Sequence, residues 1–159
     1  GEVVFNSPFA IAIADTIEIK TEVISVALDD SRPEDFSQRL SQGSFEADLE
    51  NHLPLGVMLT LFIGRIPDST LFTDPSTLRM GPYILNAPTI DDAGRVQEPV
   101  ISRVSDVIDS TDLELFENDS LFVGQAACLL PTDSVGIIIN GIDYLGARAS
   151  AIMRLRMGK

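Results

Sequence analysis

The chain carries one histidine, His52, and one cysteine, Cys128. Imidazole is the usual general base near neutral pH, so any Ser-His-Asp or Cys-His arrangement would have to run through His52. His52 follows Asn51 and precedes Leu53-Pro54, a setting that reads as a strand bend, and the chain has no nucleophile elbow. With one imidazole and one thiol, a zinc or other soft-metal site lacks ligands unless carboxylates supply nearly all of them. His52 is therefore expected to be structural or solvent-facing. Cys128, inside the apolar run Gln125-Ala126-Ala127-Cys128-Leu129-Leu130, is expected to be a buried, inert thiol.

Oxygen ligands are plentiful. Asp29-Asp30, Asp91-Asp92 with Glu98, and the set Asp106, Asp109 and Asp112 all fall at expected strand ends or loops. None has the Asp-x-Asp-x-Asp-Gly spacing that wraps one calcium ion, and such residues commonly accept backbone hydrogen bonds in their own turns. The expected cofactor set is thus empty, with calcium at Asp91 and Asp92 as the alternative. Paired carboxylates would suit glycoside hydrolysis. Sugar sites usually add aromatic platforms, and here there is no Trp and the tyrosines are Tyr83 and Tyr144 alone. No Gly-rich phosphate loop occurs, which argues against nucleotide cofactors. Arg148, Arg154 and Arg156 form the one basic stripe, fit either to receive an acidic partner or to pair across strands with the chain's own acids.

A formal charge of −13, from 24 acidic against 11 basic residues, repels phosphate backbones and anionic headgroups. Nucleic acid and acidic membrane surfaces are excluded as expected partners, which leaves a protein or a small molecule. Arg greatly outnumbers Lys, and Asp outnumbers Glu, a balance that fits either saline surroundings or GC-rich coding. No run of about 18 apolar residues is present to span a membrane as a helix. Gly1 in place of Met reads as a tag-removal scar or a processed start, so a leader or anchor is compatible with the sequence.

These side chains must be held by strands. Apolar residues recur mainly at every second position, many of them β-branched, with turn residues about every ten positions. The 159 residues suffice for one core, so a single all-β domain over 1–159 is expected, a β-sandwich with a closed barrel as the alternative. Ile17, Ile19, Thr21 and Val23 alternate with Glu18, Lys20 and Glu22. The phase then shifts to Ile24, Val26 and Leu28, as a bulge or a bend produces. Ser31-Arg32-Pro33-Glu34, with Phe36 and Leu40 following, predicts a short helix.

Phe45, Ala47 and Leu49 alternate with Glu46, Asp48 and Glu50. Pro54 then interrupts, which predicts a strand that bends or crosses between sheets before Val57–Ile63 resumes. Further strands are expected over 77–85, 96–108, 121–130 and 135–140. Asp92-Ala93-Gly94-Arg95 is expected to turn with Gly94 at positive φ, and Thr111 with Glu114 to cap one helical turn. In the last strand Ala147, Ala149, Ala151, Met153, Leu155 and Met157 share a face, and the small residues predict close approach of the opposing sheet.

Two short stretches resemble known families. Ile139-Asn140-Gly141-Ile142-Asp143-Tyr144-Leu145 is similar to the second conserved stretch of retroviral-type aspartic proteases, which are also all-β. Their catalytic Asp-Thr/Ser-Gly turn has no counterpart, since Asp15-Thr16 is followed by Ile17. The run from Phe45 to Leu55, with Asn51 before the bend, is similar to the strand-Asn-bend-strand segment of late-embryogenesis-abundant-type sandwich domains, a resemblance that implies a bent strand and no particular activity.

The expectation is a non-catalytic module of an exported or cell-surface bacterial protein, acting in adhesion, assembly or ligand display. The first alternative is a carrier of a lipid or small apolar ligand held between the sheets, and the second a carboxylate-dependent hydrolase.

Overall fold

The computed structural model describes residues 12–28, 40–109, 111–117, 120–132 and 137–155. Among these residues there are eight strands and two short 3₁₀ turns, the strands being β1 (Ile17–Lys20), β2 (Ile24–Ala27), β3 (Leu40–Asn51), β4 (Val57–Gly64), β5 (Leu78–Leu85), β6 (Val100–Ile108), β7 (Ser120–Leu129) and β8 (Leu145–Leu155). One sheet runs β1-β7-β4-β5, with β2 following β1 along the same side of β7, and the other runs β6-β3-β8. All of the pairings are antiparallel. The two sheets face each other as a sandwich and do not close into the alternative barrel.

Period-two patterning produces this arrangement directly. Phe45, Ala47 and Leu49 of β3 are buried against Leu59, Ile63 and Leu121 of the first sheet's strands, while Glu46, Asp48 and Glu50 point outward. The phase shift after Val23 is a bulge: Lys20 pairs with Ala126 and Ile24 with Val123, four steps on one strand against three on the other. Thr21 fills the break, donating its amide to the Gln125 carbonyl (2.9 Å) and accepting the Gln125 amide on its hydroxyl (3.0 Å).

The crossing at Pro54 carries the chain from β3 in one sheet to β4 in the other, and Asn51 builds it. This side chain is completely buried. Its Nδ2 donates to the carbonyls of Leu55 (2.8 Å) and Asn86 (2.9 Å), and its Oδ1 accepts from the Leu53 amide (3.0 Å). A sharp corner strands backbone groups that no ladder can pair, and a short amide presenting both donors and an acceptor satisfies them.

The 3₁₀ turn Ser69–Phe72 covers the outer face of the first sheet with Leu71 and Phe72, which pack on Phe62 and Ala126. Asp68 caps it, accepting from the Thr70 amide (2.8 Å) and hydroxyl (2.7 Å). Gly124 is required beneath it, because a Cβ there would lie 2.8 Å from the Phe72 ring.

Several expectations need correction. Leu40 opens β3 instead of closing a helix, and 31–39 lie outside the described residues. Residues 137–144 form no extended strand; they make a loop with a turn at 141–142. The second 3₁₀ turn, Asp112–Glu117, is capped by Asp109 instead of Thr111, since Asp109 Oδ1 accepts the amides of Thr111 (2.8 Å) and Asp112 (3.0 Å). Cys128 is half-buried, because it pairs beside Glu18 and Met58 on the outer face of its sheet.

Candidate binding cavity

Directly paired residues of antiparallel strands share a face. The pairs Ile17 with Leu129, Ile19 with Ala127, Ile24 with Val123 and Val26 with Leu121 therefore place four apolar side chains of β1 and β2 on the inner face of the first sheet. Yet these four remain 47%, 50%, 58% and 39% exposed. The second sheet does not reach over them. On its side, Ala147 and Ala149 of β8 pair with the buried Leu49 and Ala47, so they too face inward, and they too are exposed.

The sheets meet at the opposite side. There the Tyr83 hydroxyl of β5 donates to Asp106 of β6 (3.2 Å), and the Tyr83 ring stacks on Phe45 at 6.5 Å between centroids. Burial, and then the Asp106 charge, push the Tyr83 phenol above its ordinary range. From this closed side the sandwich opens toward β2 and β8 around an apolar cavity of about 350 Å³. Its walls come from both sheets, including Val26, Leu59, Leu61 and Val123 on one and Leu49, Ala147 and Ala149 on the other, with Phe116 from the second 3₁₀ turn. The expected close approach at the alanines is thus reversed, since the small side chains leave the space unfilled. Among the described residues, no Asp, Glu, Lys, Arg or His lines the cavity.

The protease-like stretch and the late-embryogenesis-type bend come together at the far end of β3. His52 stacks on Tyr144 (centroids 5.2 Å apart, planes at 5°), and its Nδ1 lies 3.3 Å from Asp143 Oδ1. The Asp143 side chain is 2% exposed and accepts the Asn140 amide on Oδ2 (2.7 Å). The Tyr144 hydroxyl donates to Glu50, and this hydrogen bond raises its pKa. His52 thus fastens the loop preceding β8 onto the crossing, in keeping with a structural reading. No Ser, Thr or Cys side chain hydrogen-bonds to it among the described residues.

Asp91 and Asp92 share their turn, and Gly94 has φ of 74°. Asp91 Oδ1 accepts the amides of Ala93 and Arg95 (both 2.9 Å). Among the described residues no three of His, Cys, Asp and Glu converge on a common point. Arg148 lies on the outer face of β8 beside Asp48, but Asp48 pairs with Arg103 instead (2.8 and 3.3 Å). That hydrogen bond holds the Asp48 carboxyl below its usual range, with Arg148 a lesser influence. Arg154 belongs to β8, and Arg156 lies outside the described residues.

Comparison with protein families, with curated proteins and with solved structures finds no match to this chain. Sequence reasoning placed Asn51 before the bend without giving it a role, and passed over Arg103 and Gln125. The signal for Gln125 was present: it is the one polar residue in the inward series Leu121, Val123, Gln125, Ala127, Leu129.

Proposed function

We propose that the chain is a non-catalytic binding module that holds a small apolar ligand between its sheets. The observation that carries this reading is the cavity of about 350 Å³, lined by Val26 among others, beside the uncovered Ile17, Ile19 and Ile24 of the same inner face. Ligand pockets are typically concave, mostly apolar and upward of about 300 Å³. Exposed isoleucine and valine on an inner sheet face lose hydrophobic stabilisation of roughly 25 cal/mol per Å² until something covers them. Among the described residues the lining offers no carboxylate pair and no imidazole for acid–base work, which favours a carrier over a hydrolase. The adhesion or assembly reading shares the non-catalytic part of this proposal, and the cavity favours the carrier.

The test is a fluorescence titration with 1-aminonaphthalene, a small, neutral, mostly apolar dye. Saturable binding is expected, and Ala149→Phe, which puts a ring into the cavity from β8, is expected to weaken it about tenfold or more. Absence of saturable binding, or equal binding by the variant with its melting temperature unchanged, would reject the proposal.

A further inference from the structure

We infer that the ligand of this cavity is a neutral amphiphile of about a dozen heavy atoms whose single hydrogen-bonding group meets Gln125; this rests on the carrier reading above. The size follows from comparison with an engineered apolar cavity of about 150 Å³, which holds benzene. A space of about 350 Å³ is a little over twice that and admits roughly twice the six carbons.

The polarity follows from β7. Leu121, Val123 and Gln125 line the cavity, whereas Gly124 and Ala126 between and beyond them face the outer cluster under Phe72. Gln125 therefore projects a primary amide into an apolar space from the second strand of its sheet. Its backbone amide and carbonyl are taken by Thr21, and its side chain has no hydrogen-bond partner among the described residues. Covering that amide with hydrocarbon would leave a donor and an acceptor unpaired, a cost of about 1–3 kcal/mol. A ligand carrying one hydroxyl, carbonyl or amide removes the cost and is oriented by doing so.

The charge follows from the lining. Tyr83 already gives its hydroxyl to Asp106, and among the described residues no cationic side chain lines the cavity. A buried ligand carboxylate would meet no counter-ion, in a chain whose net charge of −13 already opposes anions. Medium-chain alcohols, ketones and amides fit; fatty acid anions do not.

Displacement of 1-aminonaphthalene by decane, 1-decanol and decanoate, measured on the wild type and on Gln125→Met, tests this. Methionine preserves the shape of glutamine while removing its amide. The ratio of decanol to decane affinity is expected to fall about tenfold in Gln125→Met, the worth of one well-made hydrogen bond. Decanoate is expected to bind more weakly than decanol to the wild type. A ratio unchanged within about twofold, or decanoate binding as tightly as decanol, overturns the inference while the cavity reading stands. Failure of 1-aminonaphthalene and of every decyl compound to bind the wild type overturns both.

Discussion

Replacing Asn51 by alanine removes a buried side chain that satisfies three backbone groups at the crossing between the sheets. The Leu53 amide loses its acceptor, and the carbonyls of Leu55 and Asn86 lose their donor. At about 1 kcal/mol for each net hydrogen bond the loss is about 3 kcal/mol, and the stranded groups raise it toward 5. That is a large share of the 5–15 kcal/mol typical of a domain. Urea unfolding followed by far-ultraviolet circular dichroism reads it directly. With a slope of about 2 kcal/mol per molar, the midpoint should fall by roughly 1.5 M.

Asn51→Asp sharpens the test because it keeps the shape and the acceptor for Leu53. It has no amide to donate, however, and its anion would face two carbonyls in a fully buried site. Burial raises the folded-state pKa of such a carboxyl above its unfolded value. The variant should therefore be closest to wild type below the ordinary carboxyl range and lose stability as pH rises through the raised value. A midpoint shift in Asn51→Ala below about 0.3 M, or an Asn51→Asp variant whose deficit does not grow with pH, would refute the assignment of Asn51 as the corner's hydrogen-bonding centre.

Three further outcomes are expected. Gly124→Ala should cost about 1–3 kcal/mol in urea unfolding, because its Cβ meets the Phe72 ring at 2.8 Å and the 3₁₀ turn must lift; an unchanged midpoint would count against that packing. Tyr83 and Tyr144 both have raised pKa values, by burial and by the bond to Glu50 respectively, so their contribution is complete below the unfolded phenol value of about 10 and is lost as pH rises beyond it. Melting temperatures measured across this range should fall, and Tyr144→Phe should flatten part of the fall. Calcium at about 1 mM should move the melting temperature by less than about one degree, because Asp91 is engaged by its own turn; a rise of several degrees would revive a site at Asp91 and Asp92.

Local chemistry wrote much of this structure plainly into the sequence. Alternation set which residues of β3 point inward, the change of phase after Val23 located the bulge, Pro54 marked the crossing, and Gly94 marked its turn. Each is a property of a few consecutive residues: a period, a missing amide hydrogen or a permitted φ. The expectations that failed depended on partners far along the chain. Leu40 fits a helix by spacing, but β8 offers it a ladder, and ladder pairing overrides a weak local preference. Ala147 and Ala149 predict a tight sandwich if the opposing sheet closes on them, yet it stands off and the cavity occupies the space between. Asn51 and Gln125 each look like an ordinary polar residue in a strand. Only the path of the chain makes one a fully satisfied corner and leaves the other an unpaired amide in an apolar space. A sequence specifies which groups need partners; where two sheets part company, and what is left facing the gap, is decided by contacts between residues that are distant along the chain.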